Sequence, residues 1–106
     1  MHGTDFESLA ADTLLRIEQA LDASAGGPEV ERKEGGVIEL EFDDGSKMII
    51  NRHGAAREIW VAARGGGFHF RWDGRQWRDT RDGTELFAVL SSLVSAQSGR
   101  SVTLGP

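Results

Sequence analysis

The sequence predicts a two-layer α+β sandwich, with an N-terminal and a C-terminal helix packed on one face of a five- to six-stranded antiparallel sheet. Three observations carry this. Near each end of the chain apolar residues recur at spacings of three and four, as on one face of a helix. Between those segments the apolar period changes to two. The period-two stretches are separated by short turns rich in Gly and Asp, which join neighbouring antiparallel strands. At 106 residues the chain is read as one domain over 1–106 with one core.

The first helix is expected over 4–22, where Phe6, Leu9, Ala10, Thr13, Leu14, Ile17 and Leu21 share one side. Thr4 is the expected N-cap, and Asp5 and Glu7 follow in the first turn, where the helix dipole favours negative charge. The run ASAGGP (23–28) stops the helix. Strands are expected at VERKE (30–34), VIELEF (37–42), KMIIN (47–51), EIWVAAR (58–64), FHFRW (68–72) and QWRD (76–79), with turns at EGG, DDGS, HGAA, GGG and DG. Alternation sends Ile38, Leu40, Phe42, Met48, Ile50, Ile59, Val61, Phe68, Phe70, Trp72 and Trp77 toward the helices. It leaves Glu39, Glu41, Ile49, Asn51, Trp60, Ala62, Arg64, His69 and Arg71 on an open face. The second helix is expected over 84–97, with Thr84 as N-cap and Gly99 closing it. The final SVTLGP either packs or frays.

Net charge is −5, unevenly spread: residues 1–44 hold 12 of the 17 acidic and 3 of the 12 basic residues, leaving the later part net positive. That asymmetry suggests two surfaces of opposite sign. With no Cys, disulfides, thiolate ligands and Cys nucleophiles are excluded. No apolar run is long enough to cross a bilayer, and the N-terminus lacks the pattern of a signal peptide, so a cytoplasmic protein without membrane partners is expected. No Ser–His–Asp arrangement can be placed on shared turns. GGG (65–67) precedes a strand rather than a helix, so it is not a phosphate loop. A non-enzyme without an organic cofactor is expected. His2, His53 and His69 show no metal-ligand spacing and read as surface residues.

The ordered set of features in GGVIELEFDDGSKMII (35–50) and NRHGAAREIWVAARGGGFHFRWDGRQWRD (51–79) resembles the bacterial members of the frataxin family, the CyaY type. The matching features are Asn51 at the end of the third strand, Ile59-Trp60-Val61, the turn Gly65 to Gly67, the aromatic strand Phe68 to Trp72, and Gly74 to Trp77. RDGTELFAVL (81–90) is similar to the start of the family's second helix. The resemblance implies the sandwich read above, and a role in iron–sulfur cluster assembly as an iron-binding protein, an iron donor or sensor, and a regulator of the cysteine desulfurase–scaffold complex.

It also implies an acidic ridge for iron on the first helix and first strand. Hard oxygen ligands suit iron. Here the ridge would be Glu18, Asp22, Glu29 and Glu31, with Glu7 and Asp12 as neighbours. At about 100° per residue, Glu7 and Glu18 fall on one stripe of the helix with Asp22 slightly further round. The segment DASAGGPEVERKE (22–34) is thinner in acid than the family pattern, and Arg32 and Lys33 oppose it, so weak binding of Fe2+ or Fe3+ is expected.

A Trp facing solvent beside Arg is the composition of an interface centre. Asn51, Arg52, Trp60, Arg64, His69 and Arg71 are therefore read as a docking platform. The resemblance implies a scaffold protein and the desulfurase as partners, with the chain a monomer or an iron-dependent oligomer. Two other readings stand beside this one. One is an interaction module of the same machinery without significant iron binding. The other is single-stranded nucleic-acid binding on the open face, against which the acidic half argues.

Overall fold

The computed structural model describes residues 3–24 and 27–105, with side chains from Phe6 onward at the N-terminus. The elements are α1 (Gly3–Ala23), β1 (Glu29–Lys33), β2 (Val37–Glu41), β3 (Lys47–His53), β4 (Glu58–Ala63), β5 (Gly66–Trp72), β6 (Trp77–Asp79) and α2 (Leu86–Ser98). The strands form one antiparallel sheet in sequence order. Each strand pairs with its chain neighbour, because every connection is a short turn. His2, Ala25 and Gly26, and the side chains of Thr4 and Asp5, lie outside the described residues.

One face of the sheet carries the core. Ile38, Leu40, Met48, Ile50, Ile59, Val61 and Phe70 are buried against Ala10, Leu14 and Ile17 of α1 and Leu86, Leu90 and Val94 of α2. Each such aliphatic side chain contributes on the order of 1.5–3 kcal/mol of transfer energy. Phe68 and Trp72 are only partly buried at the margin of this layer. Trp60 lies under neither helix, so the facing derived from alternation holds.

Polar residues fasten the layers. Trp77 is buried on β6 and donates its indole N–H to Thr13 Oγ1 of α1 at 2.8 Å, while Phe6 packs edge-on to the same ring. The buried Gln97 of α2 donates to Ser46 Oγ and to the Lys47 carbonyl, at 2.9 and 3.1 Å. The C-terminal residues pack rather than fray. Val102 and Leu104 are buried, and their backbone N–H groups donate to Ser95 Oγ and Ser91 Oγ of α2 at 2.9 and 2.8 Å.

Several boundaries differ from those read in the sequence. The N-cap of α2 is Glu85, not Thr84: its carboxylate accepts from the backbone N–H of Phe87 and Ala88. Thr84 is held back because its carbonyl accepts from the Asp79 N–H, which continues the β6 hairpin. Gly99 closes the helix in the left-handed region, at φ 74°. Strand β5 begins at Gly66, so only Arg64 and Gly65 turn, and β3 runs on to His53, which moves the next turn to Gly54–Arg57.

The turn carboxylates are strongly engaged. Asp73 accepts from the backbone N–H groups of Gln76 and Arg75 and from the Arg78 side chain, which bring its pKa from the usual 3.8 to about 2. The hydroxyl and backbone N–H of Ser46, with Arg64, do the same for Asp44, also to about 2.

Two outcomes are expected. Thr13→Val leaves the Trp77 indole N–H without its partner in the core and costs about 1–3 kcal/mol in urea unfolding. The native pKa values of Asp44 and Asp73 lie below their unfolded values, so the stability they add is complete above the unfolded value and lost as pH falls through about 2. Asp73→Asn is therefore expected to flatten the acid limb of the stability–pH curve, measured by unfolding in steps from about pH 5 downward.

Candidate functional site

The open face has a built centre. The register pairs His53 with Glu58, Asn51 with Trp60, and Trp60 with His69. Asn51, Trp60 and His69 thus form a row across three strands. His53 from β3 and His69 from β5 flank β4, and both stack on the Trp60 ring. Centroid separations are 3.7 and 4.4 Å, with the planes 11° and 10° apart. The indole is sandwiched, and its N–H donates to Glu58 Oε1 at 2.8 Å.

Glu58 organises this cluster. Its side chain is 8% exposed although it lies on the face without helices. Oε2 accepts from Arg71 Nε at 3.0 Å and lies 2.8 Å from Arg71 Nη2, and His69 Nδ1 lies 3.7 Å from Oε1. Burial pushes the Glu58 pKa up. The hydrogen bonds from Trp60 and Arg71 and the charges of Arg71 and His69 outweigh it, and hold the carboxyl below the usual carboxylate value. His53 Nδ1 accepts from the Ala56 backbone N–H at 3.2 Å, which leaves the proton of the neutral ring on Nε2.

The structure brings four of the six expected docking residues together: Asn51, Trp60, His69 and Arg71. It places two elsewhere. Arg52 pairs with Ile59 and alternates with Asn51, so it points to the helix side, where it meets Glu7 Oε2 at 2.6 Å. Arg64 follows the last residue of β4 at the far end of the sheet. There its guanidinium donates to Asp44 Oδ2 at 2.8 Å and to the Gln97 carbonyl at 3.3 Å. His53 and Glu58 are the members that strand reading missed. Glu58 sits two residues before Trp60, and that spacing was the available signal.

The expected iron ligands do not converge. Among the described residues no group of three or more His, Asp or Glu is placed to hold a metal ion. Three of the α1 carboxylates have cationic neighbours: Glu7 has Arg52, Asp12 has Arg16 at 3.0 Å, and Glu18 has Arg32 at 3.5 Å. On β1, Val30 packs on the core and Arg32 reaches Glu18, so Glu29 and Glu31 alternate to the opposite sheet face. There they stand across from Glu41 and Glu39, and the four carboxylates line a shallow opening. Lys33 and Lys47 both approach Glu39, at 3.5 and 3.6 Å. The single ridge expected from the sequence is two acidic surfaces, one on α1 and one on the open face of the sheet edge. Asp22 is exposed at the end of α1.

Residues 1–100 match the family model of the frataxin-like domain. The chain is 54% identical over 104 residues to the iron-sulfur cluster assembly protein CyaY of Dechloromonas aromatica, covering 98% of this chain and 99% of the relative. It is 49% identical over 105 residues to the protein of the same name from Cupriavidus necator, covering 96% and 95%. Among solved structures it superposes on the frataxin of Psychromonas ingrahamii with a TM-score of 0.89 at 27% identity, over the full length of both chains. It also superposes on trimeric frataxin from the yeast Saccharomyces cerevisiae complexed with ferrous iron, with a TM-score of 0.60 at 25% identity, covering 94% of this chain and 89% of that one.

The Glu58 cluster generates a measurable expectation. Glu58→Gln keeps the shape and an acceptor for Trp60 but removes the charge that Arg71 meets. A loss of about 1–2 kcal/mol is expected by urea unfolding near neutral pH. Because the native carboxyl titrates below its unfolded value, its contribution is complete above that value and lost as pH falls through the native one. The variant and parent should therefore converge in acid.

Proposed function

The chain belongs to the frataxin-like family, and on that premise we propose that it is a binding protein of iron–sulfur cluster assembly, not an enzyme. In this reading it handles iron weakly on exposed carboxylates and regulates a cysteine desulfurase–scaffold complex by docking on it. The observation that carries the reading is the pairing of two different surfaces on one small chain: exposed carboxylates along α1 and the β1–β2 edge, and a preformed aromatic cluster around Trp60. The relatives' shared name as iron-sulfur cluster assembly proteins supports the pathway. The ferrous complex of the yeast neighbour supports iron as cargo.

Exposed carboxylates supply hard oxygen donors without a cage, which suits a loosely held ion that must be passed on. Asp22, Glu29 and Glu31 are the more available donors, because iron at Glu7, Asp12 or Glu18 competes with an arginine. The acidic surfaces suit a basic patch on the desulfurase. The Trp60 cluster suits the scaffold, since its aromatic and Arg groups are held in place before contact. In this reading the chain works in the cytoplasm as a monomer, with an iron-dependent oligomer as the alternative; the yeast neighbour is a trimer. The arginines beside Glu7, Asp12 and Glu18 favour a second reading, in which the chain docks on the same machinery without binding iron.

Replacing Glu18, Asp22, Glu29 and Glu31 by Ala is expected to lower iron binding in titration calorimetry, with melting temperature unchanged or raised because like charges are removed. Unchanged binding would shift the assignment to the second reading. Raising salt should slow association with the desulfurase strongly. Trp60→Ala should weaken scaffold binding by about 2 kcal/mol with little salt dependence, measured by surface plasmon resonance at two ionic strengths. A folded Trp60→Ala protein that binds both partners normally would remove the open face from the reading.

A further inference from the structure

A second site lies beside the open face. The N-terminal part of α1, the Gly54–Arg57 turn and the end of β5 enclose a cleft of about 400 Å3, in the range of small-ligand pockets. Its apolar wall is Phe6, Leu9, Ala55, Ala56 and Trp72, and Arg57 and Arg71 border it. Neither the carboxylates nor the Trp60 stack contributes to it.

Two features indicate what it takes. Arg57 has φ 55°, the one non-Gly residue in the left-handed region among those described. In this conformation the Cβ crowds the following carbonyl, so it is typical of Gly or Asn. At that position the chain carries an exposed guanidinium at the rim of an apolar cavity. Arg71 is the second feature. It belongs at once to the cleft and to the Glu58 cluster beneath Trp60. Its contacts to Glu58 run through Nε and Nη2, and its side chain is 66% exposed, so the guanidinium is open to a second anion. A partner seated over Trp60 would therefore have the cleft directly at its margin.

Resting on the docking role proposed for the open face, we infer that this cleft receives a short segment of a protein partner in which an aromatic or branched apolar side chain is followed by a carboxylate. The apolar side chain fills the space against Phe6, Leu9 and Trp72. The carboxylate meets Arg57 and Arg71, as guanidinium forks favour.

The test uses the full chain labelled with nitrogen-15, whose three tryptophans give three indole N–H signals, assigned with single Trp→Phe variants. The probe is the blocked tetrapeptide acetyl-Ser-Phe-Asp-Ser-amide. A saturable shift is expected at the Trp72 indole and at the backbone amides of Ala55, Ala56 and Arg57, larger than any at the Trp60 and Trp77 indoles. Changing the peptide's Phe to Ala, or its Asp to Asn, should weaken binding about tenfold or more, the equivalent of one lost charge-assisted hydrogen bond or buried ring. Arg57→Gly should weaken it similarly while leaving the melting temperature unchanged or raised, because Gly adopts this conformation without strain. Absence of a shift, or binding indifferent to Asp→Asn and to Arg57→Gly, would overturn the proposal. Free 3-phenylpropionate binding more tightly than the peptide would also overturn it, in favour of a small-molecule site. The readout does not involve Trp60. A chain that binds the peptide normally but shows no Trp60-dependent scaffold binding would refute the open-face reading alone.

Discussion

Both helices lie on the same side of the sheet, and most of what is distinctive in this chain follows from that one-sided cover. Six strands bury one set of alternate residues and present the other set to water. The covered side is filled mainly by apolar side chains, with a few buried hydrogen bonds such as that of Trp77 to Thr13 fastening the layers. On the uncovered side, a large aromatic at a central position would leave two wet ring faces and an indole N–H without a fixed partner. Trp60 is accommodated by polar neighbours from its own sheet: an imidazole from each adjacent strand covers its faces, and Glu58 accepts the hydrogen bond of its indole N–H. The centre of the open face is thus a small polar cluster that covers the indole with side chains rather than with a second layer. It presents the edges of three rings at a fixed orientation, which reduces the ordering cost of binding.

The architecture was legible because period and punctuation agreed along the whole chain. Each apolar alternation ended at a Gly or Asp turn, and the stripes of α1 and α2 could only face the same sheet surface. Turn edges were harder to place. HGAA reads as a turn from His53, yet the strand continues through that residue because the tight turn closes from Gly54 to Arg57, with a left-handed Arg where Gly would be expected. That one-residue displacement hid the His53 stack, whereas Glu58 already lay in the expected strand, two residues before Trp60. Arg52 lies outside the Trp60 cluster for a different reason. Its neighbour Asn51 is on the open face, and period two sends the next side chain through the sheet, where a long guanidinium can still reach the flank of α1 and meet Glu7. Spacing along the chain shows neither how far a long side chain reaches nor which cation lies across from it. For that reason Glu7 and Glu18 looked available in sequence and are paired in three dimensions, whereas the Asp12–Arg16 pair follows from i,i+4 spacing on the helix.

The same reasoning separates the acidic residues. A ridge drawn from sequence treats the helix and the first strand as continuous, but a strand alternates. Only one of its two sets of side chains can join α1, and on β1 that set is Val30 and Arg32. Glu29 and Glu31 instead stand across from Glu41 and Glu39. Like charges directly opposite one another weaken strand pairing, which Lys33 and Lys47 partly offset.

Strand β1 has another consequence. It is an outer strand of the sheet, with one side of its backbone unpaired, and such a strand can template the addition of another chain. Four of its five residues are charged, and the strand at the opposite border, β6, is three residues long and closed off by a bridge from Arg78 to Glu85. Both borders therefore resist lateral growth into a continuous ribbon. Glu29 and Glu31 serve colloidal stability whether or not they ever meet a metal. Substituting apolar residues at these positions would leave each molecule folded and make concentrated solutions of it prone to aggregate.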